Sequence, residues 1–399
     1  MTINNEHKKL NVPNLRFPEF QGEWEKMRLD AFTERVMRKN KSNQSRLPLT
    51  ISAQYGLVDQ ITFFNKVVAS TDLSNYYLLK KGEFAYNKSY SSDYPWGAIK
   101  RLDNYDQGAL SSLYICFAPQ DNVVSDFILQ YFESPKWHKG ISEIAVEGAR
   151  NHGLLNVAVQ DFFHTYHYVP NDKKEQIKIS KLLMLLDERI STQNKIIEDL
   201  KKLKSAIIEI EYTPNTKTTS PIGDVIEQIS KRNKNNAIQN VLSVSNRQGF
   251  IKQSDQFENR NVASEDTSNY KIVEQNDFAF NPARINVGSI ARLTTFEKGI
   301  VSPMYICFRT QENVAPEYID YFFESKHFYC EIQKRLEGSV RQCLSFEGLC
   351  NIPLSLPSFE MQQLIGKRLF TLEQKIKTET DLLELLNKQK QYLLRQMFI

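Results

Sequence analysis

Cysteine is scarce and its spacing pairs nothing: Cys116, Cys307, Cys330, Cys343 and Cys350 are odd in number and form no CxxC. That excludes a disulfide framework and a zinc ribbon, and suits reduced thiols in a cytoplasmic protein. No apolar run approaches the roughly 18 residues of a spanning helix. The first 25 residues are polar with charges of both signs, unlike a secretory signal. No GxxxxGK[ST] loop is present to hold a nucleoside triphosphate. No Pro-Asp pair introduces a nuclease carboxylate cluster. The excess of positive charge is small, +4, which permits a polyanionic partner without demanding one. With 41% hydrophobic and 25% charged residues over 399 positions, the chain is neither disordered nor fibrous, and has material for two or three domains.

Two near-motifs also fall short. Asn281-Pro282-Ala283-Arg284 lacks the second proline and the aromatic of an amino-methyltransferase loop, and reads as a turn after a strand. His164 and His167 sit in the aromatic stretch FFHTYHYV without a third ligand or adjacent carboxylate, which predicts a packed or surface pair. The chain is therefore expected to carry no catalytic residue and no metal.

What is present is a duplication. SNYYLLKKGEFAYNKS at 74–89 recurs as SNYKIVEQNDFAFNPA at 268–283, and LSSLYICF at 110–117 as VSPMYICF at 301–308. FILQYFES at 127–134 answers YIDYFFES at 318–325, and EGARNHGL at 147–154 answers EGSVRQCL at 337–344. Pro170 with Glu175-Gln176 answers Pro357 with Gln362-Gln363. Five blocks in one order, about 190 residues apart, mean two whole domains, since solenoid repeats run about 20 to 50 residues. In each unit strand-like segments (Leu47–Ser52, Gly82–Asn87, Tyr114–Phe117 and their partners) precede a short helix (Ser125–Glu133; Pro316–Glu324) and then a long one. The predicted class is α/β in the α+β sense. Residues 1–170 and 213–357 form two similar globular domains, the second with a linker at 213–221. Helices occupy 171–212 and 358–399.

The long helices carry a seam. Leu186, Ile190, Gln193, Ile197, Leu200, Lys204 and Ile207 follow a 4-3 spacing, repeated 186 residues on by Leu372, Ile376, Glu379, Leu383, Leu386, Lys390 and Leu393. An antiparallel pairing whose residue numbers sum to 583 sets Leu186 on Met397, Ile190 on Leu393, Ile197 on Leu386, Leu200 on Leu383 and Ile207 on Ile376. It also sets Lys204 on Glu379 and Gln193 on Lys390. The alternative sum of 576 would put Gln193 on Leu383 and Lys204 on Leu372, leaving polar groups without partners at about 1–3 kcal/mol each. The 583 register is therefore expected. The competing reading has each helix packing on its own domain. As a pair, some 35 residues make a rod of roughly 50 Å, about the scale on which half-sites on duplex DNA are separated.

Base reading requires forked donors and amides beside base edges, with cations for phosphate. The candidates come in matched places. Gln54-Tyr55 corresponds to Arg247-Gln248 beyond one strand. Asn87-Lys88-Ser89-Tyr90 and Asn281-Pro282-Ala283-Arg284 follow another matching pair of strands, with Asn286 just beyond the second. Lys100-Arg101 and Arg292 close the next strand. Arg150-Asn151-His152 and Arg341-Gln342 follow matching Glu-Gly turns. Arg35, Arg38, Lys39 and Lys41, with Lys231, Arg232 and Lys234, are basic runs suited to phosphate. Singly, each is a solvated loop charge. Together, the strands keep their spelling while the polar loop residues differ, as one scaffold presenting two different readers requires.

On these residues the chain resembles the specificity subunit of type I restriction-modification systems. The opening Asn14-Leu-Arg-Phe-Pro-Glu-Phe-Gln-Gly-Glu-Trp24, the duplicated domain-helix layout and the proline-led entry to each long helix carry the resemblance, which spans the chain. It implies two target recognition domains, each reading half of a bipartite, gapped DNA site, and helices that set the gap and dock two methyltransferase subunits. S-adenosylmethionine for adenine methylation, and ATP and Mg2+ for up to two restriction/translocase subunits, would then be held by partners. The second unit lacks a copy of LRFPEFQGEW, and TPNTKTTSP takes its place. The resemblance also implies that the amino-terminal segment lies near the end of the second helix. Two other readings are weighed: an enzyme whose cofactor loop has gone unseen, and a two-headed protein scaffold without DNA affinity.

Overall fold

The computed structural model describes residues 10–66, 69–145, 153–213, 219–246, 248–256, 266–338 and 342–399. They form two compact units, Met1–Gln193 with Leu382–Ile399, and Asn194–Asp381. In chain order the first unit contributes β1 (Glu25–Arg28), β2 (Thr33–Arg35), β3 (Pro48–Ser52), β4 (Gly56–Asp59) and α1 (Gln60–Phe64). Then come β5 (Tyr77–Lys80), β6 (Phe84–Asn87), β7 (Ala98–Arg101), β8 (Gln107–Leu110), β9 (Ile115–Pro119), α2 (Ser125–Glu133), α3 (His138–Ile144), α4 (Val159–Phe163) and β10 (Tyr166–Val169). Helix α5 (Lys173–Tyr212) follows.

The second unit repeats the plan. It has β11 (Thr219–Pro221), β12 (Ile226–Ile229), β13 (Val241–Ser245), β14 (Gly249–Lys252), α6 (Gln253–Gln256), β15 (Lys271–Glu274) and β16 (Phe278–Phe280). Strands β17 (Ile290–Arg292), β18 (Lys298–Val301) and β19 (Ile306–Thr310) precede α7 (Pro316–Phe322), α8 (Lys326–Gln333), α9 (Phe346–Cys350), β20 (Pro353–Ser355) and α10 (Phe359–Gln396). The strand orders are the same in both units: β2-β9-β6-β7 matches β12-β19-β16-β17, and β4-β3-β8-β5 matches β14-β13-β18-β15. In each second sheet one pair is parallel, β3 with β8 and β13 with β18. The small ribbons β1-β10 and β11-β20 also match, so the end of the linker does the work of Glu25–Arg28.

Packing shows why the spelling repeats. Phe84 stacks on Phe117 at 5.3 Å, and Phe278 on Phe308 at 5.1 Å, joining neighbouring strands on the helix-facing side of the sheet. The other side carries Leu49, Ala85 and Cys116 in one unit, and Leu242, Ala279 and Cys307 in the other. All five cysteines are free, and burial pushes the Cys116 and Cys307 thiols up to about 12. The loop entering β3 is built on buried Asn40, whose side chain donates to Ser45 O and accepts from Ser45 N, both at 2.8 Å. Asn233 does the same with Ile238.

The proline-led helix entries need realignment by one residue. Gln176 accepts from the Val124 amide that caps α2 and donates to Pro170 O; Gln362 accepts from the Ala315 amide that caps α7 and donates to Pro357 O. Gln176 and Gln362 are thus the equivalent pair, at the 186-residue displacement of the seam. Glu175 then corresponds to Met361. Glu175 is buried and binds Arg16 through both carboxylate oxygens at 2.8 Å, and takes the Trp24 indole N–H at 3.2 Å. The second unit lacks the segment holding Arg16 and Trp24, and has no carboxylate there.

The seam positions are all buried or half-buried along α5 and α10. The register differs from the expected one. In the first unit Lys390 bonds Asp187 at 2.5 Å, and in the second Lys204 approaches Glu373 at 3.5 Å. Each of these pairs sums to 577, close to the register set aside. The reason is that Lys204 is not an orphan there. It also bonds Glu324 at 2.8 Å and lies over the Tyr321 ring, while Glu379 is bonded by Lys375 of its own helix. Partners from the globular part remove the penalty that an isolated two-helix rod would have suffered. The helix ends also join the cores, Ile179 and Leu183 with Leu394, Met397 and Phe398 in the first unit, and Ile208 and Tyr212 with Ile365 and Leu369 in the second. In Lys204→Glu the loss should be about 1–3 kcal/mol. Adding Glu373→Lys should restore part of the melting temperature, and Glu379→Lys should not.

His167 is enclosed in the first core. Its Nδ1 meets the Tyr131 hydroxyl at 2.9 Å and its Nε2 the Thr165 hydroxyl at 2.7 Å, while His164 stays on the surface, 3.9 Å from Asp30. Burial lowers the His167 pKa from 6.5 to about 3. A lowered imidazole pKa means that the unfolded chain binds the proton first. Stability should therefore fall as pH drops from 6.5 toward 3, by about 1.4 kcal/mol per unit. His167→Gln should lose less melting temperature than wild type between pH 6.5 and 4.5.

Candidate nucleic-acid interface

In each unit loops from distant parts of the chain meet beyond the strand ends. In the second unit the turn after β13 (Asn246, Gln248) lies against the loop after β16. The Ser289 hydroxyl donates to Val244 O at 3.2 Å, and Gly288 leaves room for Asn246 beside it. The Leu344 amide donates to Pro282 O at 3.0 Å, and Glu337 and Cys343 close a bridge, adding a third loop. Gln248, Arg284 and Gln342 are exposed on this platform, Asn286 is half-buried, and Val287 is exposed among them.

The first unit repeats the arrangement. The Leu155 amide donates to Lys88 O at 2.9 Å and the Tyr90 amide to Gly153 O at 3.0 Å, zipping the loop after β6 to the segment entering α4. The β3–β4 turn exposes Gln54 and Tyr55, and β4 packs against β7. Gly97 holds the return of this loop at a positive φ of 78°, where a Cβ would stand 2.2 Å from Asn87 O, so only glycine fits. Lys88 is half-buried and Tyr90 exposed. Arg150, Asn151, His152, Arg247 and Arg341 lie outside the described residues.

Three sequence candidates belong elsewhere. Arg101 bonds Asp103 and Asp126 at 2.7 Å and Ser125 at 2.9 Å, tying β7 to the first turn of α2. Arg292 bonds Glu317 at 2.6 Å, Asp320 at 3.1 Å and Asn276 at 2.9 Å, tying β17 to α7. Lys100 is held by Glu133 at 2.6 Å. All three are largely buried, so their charge is spent inside the fold and not on a ligand. Spacing marks a cation after a strand, but not the carboxylates that a later helix brings to it.

The basic runs sit on the loop built around the buried asparagines. Arg38 forks onto Glu83, and Lys39 donates to Asn75 O over the Tyr77 ring. Arg35 and Lys41 are exposed. In the second unit Lys231, Arg232 and Lys234, with Lys298, line an open cleft of about 750 Å³. Arg232 donates to Asn269 and Lys298 pairs with Glu274. The described residues thus offer amides, forked donors and cations at loops. Among them no cluster of three or more His, Cys, Asp or Glu could hold a metal, and no helix is long and apolar enough to cross a membrane.

Residues 214–388 match the family "Type I restriction modification DNA specificity domain". No curated protein matches the chain by sequence. Among solved structures it is similar to the type I restriction-modification system S subunit from M. genitalium, at 15% identity with a TM-score of 0.57, covering 97% of this chain and 99% of that one. It is also similar, at 13% identity and a TM-score of 0.53, to a chain from a study of complex assembly and conformational transition of the type I R-M system, covering 94% of this chain and 97% of that one. Two sheet-rich units with a long helix between them in chain order are the fold these structures share with this chain.

Proposed function

We propose, from the match of residues 214–388 to the type I restriction modification DNA specificity domain family, that this chain is the DNA-reading subunit of such a system. One observation carries the reading: two platforms with the same strand order and loop junctions present different polar side chains. Gln54, Tyr55, Lys88 and Tyr90 stand on one, and Gln248, Arg284, Asn286 and Gln342 on the other. Amides suit adenine and guanidinium suits guanine in the major groove, so each platform would read its own half of a gapped site. Lys41, Lys231, Arg232 and Lys234 would take phosphates.

The chain itself would be non-catalytic. Two methyltransferase subunits carrying S-adenosylmethionine would dock along the helices, whose outer faces expose Leu185, Leu203, Ile210, Phe370 and Leu385. Up to two restriction/translocase subunits, using ATP and Mg2+, would join through them in the cytoplasm. Methylome sequencing of a host expressing the chain with its methyltransferase tests this against a host lacking only the chain. A gapped methyladenine motif should appear only with the chain. Methylation unaffected by its removal would overturn the reading in favour of a two-headed protein scaffold.

A further inference from the structure

The first platform carries something that the second does not. Tyr55, on the β3–β4 turn, is 68% exposed, and its ring meets Phe63 of α1 at 6.4 Å edge-on. Phe63 meets Phe64 at 5.1 Å, and Ile61, Phe63 and Phe64 are each more than two-fifths exposed. These rings stand on a single helical turn fastened at both ends. Asp59 caps it, accepting from the Ile61 amide at 3.0 Å and the Thr62 hydroxyl at 2.6 Å, and Asn65 ends it at a positive φ of 49°. The cap engages the Asp59 carboxylate, while exposed Lys66 follows the helix and exposed Arg46 lines the same small cavity as Ile61. The matching positions of the second unit read Gln248 for Tyr55 and Gln253-Ser254-Asp255-Gln256 at the helix, with Phe257 outside the described residues.

Exposed aromatic rings clustered on one fastened turn mark a candidate contact surface. A protein partner is a poor fit. Fully buried aromatics cover about 150–250 Å² each, so three half-exposed rings offer on the order of 300 Å² against roughly 800 Å² per partner in a stable interface. A stack of bases needs no more than this, because one base stacked on an aromatic ring is worth about 1–3 kcal/mol by itself. The patch is also continuous, through Tyr55, with the turn that presents Gln54.

We infer that Tyr55, Phe63 and Phe64 form an aromatic wedge that enters duplex DNA at the half-site under the first unit and stacks on its bases. This rests on the DNA-reading function proposed above. The wedge makes the two half-sites unequal: one is unstacked, while the other is read without it.

The test uses the full chain assembled with its methyltransferase subunits and, as probe, a duplex carrying the gapped motif found by methylation mapping. 2-Aminopurine replaces in turn each adenine of the two half-sites except the methylated ones, which the methyltransferase itself extrudes from the stack. Wild type should raise the fluorescence in one half-site only. Phe63→Ser with Phe64→Ser, and separately Tyr55→Ser, should lose that rise and weaken binding roughly tenfold. The dependence on salt should be unchanged, since stacking releases no counterions. Tyr55→Ser, whose ring is 68% exposed, should melt like wild type, while loss of the half-buried Phe63 and Phe64 should lower the melting temperature without unfolding the chain. Unchanged fluorescence and affinity would overturn the wedge. So would a loss accompanied by a shallower salt dependence, which marks a phosphate contact, or failure of the variants to assemble with the methyltransferase, which marks a protein-docking patch. If wild type itself binds no gapped duplex, the DNA-reading function fails first and the wedge with it.

Discussion

Glu175→Ala should destabilise the chain by about 3–5 kcal/mol, the cost of breaking a buried ion pair from one side. The carboxylate is 1% exposed and has three donors, two from Arg16 and one from Trp24. Its removal leaves a guanidinium with only the Gly22 and Gln21 carbonyls, and an indole N–H with none of its present bonds. The damage should spread, because Trp24 packs edge-on against Phe127 and Phe398. The Leu15 amide donates to Gln396 O at 3.0 Å and Asn14 donates to the Gln396 side chain, so the amino-terminal segment is fastened to the end of α10 through the same cluster. Urea unfolding should show the full loss in Glu175→Ala. In Arg16→Ala with Glu175→Ala the loss should be smaller than the sum of the single losses, since neither charge is then left buried. Met361→Ala, at the equivalent and 43% exposed position, should cost under about 1 kcal/mol. An equal loss at both positions would mean that Glu175 serves only helix packing.

Arg292→Ala is the second large effect, about 1–3 kcal/mol, and it separates the structural arginines from the reading ones. Its side chain is 10% exposed and holds the half-exposed Glu317 and Asp320, which α7 brings to β17. Burial pushes the Asp320 carboxyl up to about 6, against the pull of Arg292. A raised carboxyl pKa means that the folded chain takes up the proton first. The stability linked to this group is therefore complete below about pH 4 and lost as pH rises through 6. Without Arg292 the ionised carboxylate loses its nearest cation, so the variant should be more damaged at pH 7 than at pH 4.5. Arg284→Ala, on the exposed loop, should shift stability by no more than about 0.5 kcal/mol and reduce DNA binding instead. A stable Arg292→Ala with weakened DNA binding would return Arg292 to the interface.

The two kinds of arginine have the same look in the chain, a cation just past a strand. The duplication, the strand segments, the short helix Ser125–Glu133 and the seam positions were all legible, because repeat and periodicity are properties of residue order. The equal strand orders of the two units follow from that repeat. The polar platform was legible in outline, since loops that differ between copies of one scaffold stand out against strands that do not.

Partnership was not legible. The 583 register followed from matching polar residues between two helices alone, and it failed because Glu324 and Tyr321 of the globular part meet Lys204. The same blindness put Lys100, Arg101 and Arg292 among the readers. It also placed the helix-entry glutamines one residue out of step, because Glu175-Gln176 and Gln362-Gln363 look interchangeable until Val124 and Ala315 show which amide is capped. No spacing rule foretold that Tyr55 would meet Phe63 beside Phe64. Sequence alone therefore determined that two copies of one α+β scaffold are joined by long helices, and where their variable loops lie. Tertiary structure decided which charges face water. A side chain's partner depends on distances between elements remote in the chain, and the energy of a charge depends on that partner and on how far water is excluded.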